Sequence, residues 1–153
     1  MIRHPKPMFS SFLRILQQDL QEGFLDSNFV AEKMCLPFYE MAWNFYLKYS
    51  GRIILVEDLQ EFPEMKVKEV YDYLGLEFKE EYLSYEPLSK IGIPEDLKYF
   101  QSWYKECFTS TEIKKSKLDL SSLVITNKMA IEAIEKSMAY YEKFVDASNK
   151  TIF

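Results

Sequence analysis

The chain has 153 residues, with 24 acidic and 19 basic side chains and a net charge of −5; this is one domain's worth of chain, without the basic face that a nucleic-acid binder presents. Hydrophobic residues make up 48% and aromatic residues 16%, which is enough for a core and excludes a disordered segment. No apolar run approaches the ~20 residues of a membrane span, and Met1–Pro5 has no apolar leader stretch. Two distant cysteines, Cys35 and Cys107, and one histidine, His4, make neither a disulfide framework nor a zinc site, so a cytoplasmic protein without a metal is expected.

In chain order, Met1-Ile2 reads as the end of a buried strand, and Arg3-His4-Pro5-Lys6-Pro7 as a turn, because proline keeps its predecessor out of helical geometry. Phe9, Phe12, Leu13, Leu16 and Leu20 then recur at helical spacing, and Gly23 is a suitable stop. Asp26-Ser27-Asn28 is a capping cluster that opens a long aromatic helix from Phe29 to Tyr49. Val30, Met34, Phe38, Met41 and Phe45 are expected to share one face of it. Pro37 predicts a kink or break near Leu36, and Ser50-Gly51 ends the run.

Arg52-Ile53-Ile54-Leu55-Val56 reads as a short strand whose consecutive apolar residues suit a parallel sheet covered on both faces. Pro63 suits a first helical position; Val67, Val70, Tyr71 and Leu74 form the apolar face of that helix, and Gly75 closes it. Glu77 to Pro94 is irregular. A helix is expected from Glu95 to Phe108, a polar surface loop from Thr109 to Val124, and a last helix capped by Thr126 or Asn127, with Ile131, Ile134, Met138, Tyr141 and Val145 facing one way. There is no repeat and no linker, so residues 1–153 read as a single domain. A lone buried-type strand and a strand stub do not by themselves make a sheet.

Two constellations carry chemistry. The first is Arg3 to Ser11. Arginine presents a fork of charged donors, a helix N-terminus presents N–H groups and partial positive charge, and Ser10-Ser11, expected in the first helical turn, adds hydroxyls. Together these can hold a phosphate, although a capping serine and a solvated arginine account for the same residues. The second is Ile53 to Val56, Glu57-Asp58-Leu59, Pro63 and Leu74-Gly75-Leu76, a strand-to-helix unit whose two acids suit a helix N-terminus. Trp43, Phe45, Tyr46 and Tyr49 suit either an acceptor pocket or the core, and core packing is the simpler account.

In order and spacing these segments resemble the C-terminal portion of the P-loop sulfotransferase family, through Arg3, Pro5 and Ser11, then Glu57-Asp58-Leu59, Pro63 and Leu74-Gly75-Leu76. Phe78, Leu83-Ser84-Tyr85, Trp103-Tyr104 and Ser110 are similar to a bacterial branch of sulfotransferase-like proteins. The resemblance implies an α/β fold: a partial P-loop nucleotide-binding-type three-layer domain, helix-rich, with few strands in this chain. It implies that Arg3 and Ser11 bind the 3′-phosphate of the co-substrate 3′-phosphoadenosine-5′-phosphosulfate, and that the complete protein transfers a sulfuryl group to an unidentified acceptor hydroxyl or amine. The family's phosphate-binding loop and its lysine precede the residue matching Arg3 and do not occur in these 153 residues, and no catalytic base is recognisable, so the chain alone is expected to be inactive. Val56 stands where cytosolic members have a tyrosine before the Glu-Asp pair, and their Arg-Lys-Gly loop has no counterpart, although Lys114, Lys115 and Lys117 supply charge. An exposed sheet edge would favour self-association. The rival readings are a non-catalytic helical interaction module on the same scaffold, docking through its Met-rich and aromatic faces, and another phosphate-ligand protein such as a kinase relative.

Overall fold

The computed structural model describes residues 1–16, 20–23, 25–87, 90, 109–113, 125 and 127–150. The chain divides into two compact units, Met1–Val56 with Lys117–Phe153, and Glu57–Ser116.

The first unit is helical. Helix α1 spans Pro5–Ile15. His4 caps it, its Nδ1 accepting from the Lys6 backbone N–H at 3.3 Å. Pro5 and Pro7 tolerate the first turn because its N–H groups have no intrahelical partner to lose. Leu20 and Gly23 follow, and Gly23 adopts the positive φ of a helix-ending glycine.

The second long run is helical throughout, as α2 (Ser27–Phe29), a π-helical segment Val30–Cys35 and α3 (Leu36–Tyr49). Asp26 caps it, its Oδ1 accepting from Phe29 N–H at 2.7 Å. Pro37 does not break the helix. A proline inside an α-helix removes one N–H and presses its ring on the carbonyl four residues back; here the turn before it is widened, with Leu36 N–H donating to the Ala31 carbonyl five residues back. That widening changes the helix phase. The buried line therefore runs Ala31, Cys35, Tyr39, continued by half-buried Trp43 and Tyr46, and not through Met41 and Phe45 as the regular spacing predicts. The run ends at Ser50, a non-glycine residue in left-handed conformation (φ 48°), whose N–H donates to the Tyr46 carbonyl at 2.8 Å.

Helix α6 spans Lys128–Lys150; here it is the last element, after α4 (Val56–Glu61) and α5 (Pro63–Tyr73) of the intervening chain. Asn127 caps it through an Oδ1 contact with Met129 N–H at 2.9 Å; Thr126 lies outside the described residues. Its buried face is Ala130, Ala133, Ile134, Ser137 and Phe144, whereas Ile131 is exposed. The small residues let the helix approach Val30, Ala31 and Cys35 closely, and Ser137, buried, returns its hydroxyl to the Ala133 carbonyl at 2.8 Å. Two apolar clusters result. One joins Phe9 and Leu16 to Val30, Ala31, Cys35, Ala133 and Ile134. The other joins Ile2, Tyr39, Leu55 and Phe144, with Trp43 edge-on to Phe144 at 5.1 Å.

The expected α/β three-layer fold is not what forms. Of the described residues, 72% are helical and none belongs to a strand. The apolar run Ile53 to Val56 contributes one parallel bridge, Ile2 to Leu55, made by Ile2 N–H donating to the Ile54 carbonyl and Val56 N–H to the Ile2 carbonyl, both at 2.8 Å. Val56 already starts α4, so the extended stretch is too short to become a ladder. Among the described residues there is accordingly no sheet edge through which copies could associate.

In the second unit, Pro63 opens α5 and the helix ends in a Schellman motif: Leu76 N–H donates to Tyr71 and Gly75 N–H to Asp72, at 2.9 and 3.1 Å, with Gly75 at φ 67°, as the motif requires. A short 3₁₀ turn, Glu80–Leu83, brings Tyr82 into a stack on Tyr71 (5.0 Å, 15°). Ser84 then bridges Glu112 antiparallel, and the Tyr85 hydroxyl contacts the Ser110 hydroxyl and the Glu112 carbonyl, both at 3.1 Å. The helix expected from Glu95 to Phe108 and most of the loop expected from Thr109 to Val124 lie outside the described residues.

Candidate functional site

Arg3 and Ser11 meet. Arg3 Nη1 donates to Ser11 Oγ at 3.0 Å across eight residues of chain, in a half-buried setting. The local reason is simple. Arg3 lies between the Ile2 bridge and the start of α1. Side chains on a helix lean toward its N-terminus, so Ser11 points back toward the arriving guanidinium. Ser10 and Ser11 lie in the second turn of α1, since the helix starts at Pro5, and not in the first turn as expected.

This shift changes the anion chemistry. The first turn of α1 offers few backbone donors: Pro5 and Pro7 have none, the Lys6 N–H is taken by His4, and the Met8 N–H goes to the His4 carbonyl at 3.2 Å. What remains is a charged guanidinium hydrogen-bonded to a hydroxyl. A serine that accepts from a guanidinium keeps its own proton to donate, so both groups can address a single anionic oxygen cluster.

The surroundings are aromatic. The His4 ring stands edge-on to Tyr141 of α6 at 5.1 Å and 67°. Because its Nδ1 accepts the capping hydrogen bond, the ring proton sits on Nε2 in the neutral form. The Tyr39 hydroxyl, on a fully buried side chain, donates to the Arg3 carbonyl and lies 3.3 Å from Met8 Sδ. Sequence reasoning did not find Tyr39. Its only signal there is a tyrosine at a position that four-residue spacing from Ala31 and Cys35 turns inward.

The other candidates separate from this pair. Trp43 and Tyr46 pack on Phe144, whereas Phe45 and Tyr49 pair with each other at 4.5 Å on the exposed side. Glu57 and Asp58 occupy the first turn of α4, where the helix dipole favours acids. Cys35 is a free, buried thiol whose pKa burial pushes up to about 12, so it stays a neutral apolar packing group at ordinary pH. A surface groove of about 220 Å³ lies between the π-helical segment and α6, lined by Glu32, Lys33, Leu36, Met129, Glu132, Ala133 and Lys136; neither Arg3 nor Ser11 lines it. Among the described residues no group of three or more His, Cys, Asp or Glu side chains is arranged to hold a metal ion, and no helix is long and apolar enough to cross a membrane.

Comparison of the chain with protein-family models, with curated proteins and with solved structures finds no match.

Proposed function

We propose that the chain binds the 3′-phosphate of 3′-phosphoadenosine-5′-phosphosulfate, or of the by-product adenosine 3′,5′-bisphosphate, through Arg3 and Ser11, as part of a sulfotransferase-like protein. The observation that carries this reading is the 3.0 Å contact between the Arg3 guanidinium and the Ser11 hydroxyl. It sets the two residues implied by the sequence resemblance side by side, which supports the reading. In a sulfotransferase reaction the acceptor oxygen or nitrogen would bond to sulfur as the bond from sulfur to the phosphate oxygen breaks. Adenosine 3′,5′-bisphosphate would leave, and the acceptor would lose its proton. Such catalysis rests on positioning and charge stabilisation. No Gly-rich Lys-Ser/Thr loop for the 5′-phosphosulfate occurs in these 153 residues, so the proposal for this chain is limited to nucleotide binding.

Calorimetric titration with adenosine 3′,5′-bisphosphate and with adenosine 5′-monophosphate tests it. The bisphosphate is expected to bind more tightly, and Arg3→Ala to weaken it by roughly 10- to 100-fold, the worth of a charged hydrogen bond, while changing the monophosphate little. Equal binding of both nucleotides by the folded wild type, or no binding at all, sinks the reading.

A second reading, a non-catalytic helical interaction module, is supported by a different observation. On α3, Met41, Phe45 and Leu47 are 66%, 63% and 62% exposed, an unusual outlay of large apolar side chains on a surface. Under that reading Met41→Lys with Phe45→Lys abolishes partner or self-association in light scattering and leaves nucleotide titrations flat throughout.

A further inference from the structure

Arg3 is useful to an anion only if its guanidinium is held where Ser11 can share the ligand, and the backbone around it is fixed from three directions. On one side Ile2 is clamped by both of its backbone groups, to the Ile54 carbonyl and the Val56 N–H. On the other, Pro5 is buried and His4 caps α1. Between them, the Arg3 carbonyl itself accepts from the Tyr39 hydroxyl. Tyr39 is 0% exposed and belongs to the same apolar cluster as Ile2, Leu55 and Phe144. Its hydroxyl carries one proton. The Arg3 carbonyl is a far stronger acceptor than the Met8 thioether 3.3 Å away, so that proton goes to Arg3. A phenol anchored in a dry cluster is a rigid support, and rigidity in the supporting shell is what keeps a binding group within the narrow range of useful geometries.

We infer that Tyr39 is a positioning residue for the anion site: its buried hydroxyl fixes the Arg3 backbone, and through it the guanidinium that meets Ser11. This rests on the nucleotide-binding reading for its functional meaning, but the pinning itself does not. Tyr39→Phe keeps the ring and removes the hydroxyl, and with it the hydrogen bond to the Arg3 carbonyl.

Two measurements on the whole chain test it together. In the ligand-free protein, the Arg3 side-chain Nε–H resonance in NMR is expected to be distinct and slowly exchanging, and to collapse into the averaged arginine signal in Tyr39→Phe. In titrations, Tyr39→Phe is expected to weaken adenosine 3′,5′-bisphosphate roughly tenfold, the net worth of about one hydrogen bond, to leave adenosine 5′-monophosphate unchanged, and to have no further effect in an Arg3→Ala background. An unaltered Arg3 resonance in Tyr39→Phe overturns the proposal. So does a loss of affinity that is equal for the two nucleotides or persists without Arg3, since a merely structural role behaves that way. A wild type that shows the ordered Arg3 resonance, loses it in Tyr39→Phe and binds neither nucleotide supports the pinning and overturns the nucleotide reading instead.

Discussion

The two compact units of this chain are held together differently. In the unit formed by Met1–Val56 with Lys117–Phe153, three long helical runs bury Phe9, Val30, Cys35, Tyr39, Ile134 and Phe144 in two continuous apolar clusters. Among the described residues of Glu57–Ser116, no side chain is buried. There the visible order comes from local devices: a proline start, a Schellman stop, a 3₁₀ turn, the Tyr71–Tyr82 stack and the Tyr85 contacts with Ser110 and Glu112. The contrast is between burial, which is cooperative and spread over the sequence, and hydrogen-bonded punctuation, which acts over a few residues. The Arg3–Ser11 pair belongs to the first kind of region, which suits a site that must be rigid.

The sharpest way to break the comparison is Phe9→Ala. Phe9 is fully buried, and truncating such a ring costs about 3–5 kcal/mol in transfer and cavity terms. Urea unfolding should register that loss, and hydrogen exchange should accelerate across α1, the π-helical segment and α6 together. If only α1 responded, the cluster would not be a cooperative unit.

Cys35 gives a middle-sized effect confined to the same cluster. A thiol whose pKa in the folded chain is raised from 9.0 to about 12 keeps its proton there after the unfolded chain has lost it. Stability is therefore full below pH 9 and falls as pH rises toward 12. Between pH 8 and pH 10 the wild type should lose about 1.4 kcal/mol more than Cys35→Ala in denaturant titrations. Parallel pH profiles of the two proteins would contradict burial of this thiol.

The smallest effect belongs to the other region. Gly75→Ala places a Cβ on a residue at φ 67° where no neighbouring atom lies within 4 Å, so the cost is backbone strain alone, about 1 kcal/mol. Amide exchange should quicken at the C-terminal end of α5 and leave α1 and α6 untouched.

Local chemistry was the legible part of this sequence. Asp26 and Asn127 as caps, Pro63 as a helix start and Gly75 as a stop are written in residue types that act on their immediate neighbours. The helical character of the Asp26–Ser50 run was legible for the same reason. Its phase was not, because the widened turn before Pro37 moves Met41 and Phe45 out to solvent and Tyr39 in, and periodicity assumes an unbroken helix. Ile131 was misread similarly: hydrophobicity nominated it, but close packing against Val30 and Ala31 selects the small side chains Ala130, Ala133 and Ser137 for the inner face. The strand Ile53 to Val56 shows the limit of composition. Four apolar residues satisfy a sheet pattern and also a single bridge followed at once by a helix, and only the three-dimensional partners decide. At the candidate site, Arg3 and Ser11 were nominated by spacing and resemblance, whereas the Tyr39 contact with the Arg3 carbonyl spans 36 residues, a separation over which no local rule operates.

The widened turn at Val30–Cys35 also bears on which changes this chain tolerates. A π-helical segment holds one residue more than the α-helix it interrupts, and Pro37 sits just beyond it, where an ordinary turn would drive the ring into the carbonyl of Lys33. Deleting a residue from the segment brings that collision back, and replacing Pro37 leaves a wide turn without its cause. The extra residue and the proline are thus a matched pair in space, each the reason the other is tolerated. Changing both together is therefore expected to cost less than the sum of changing each alone.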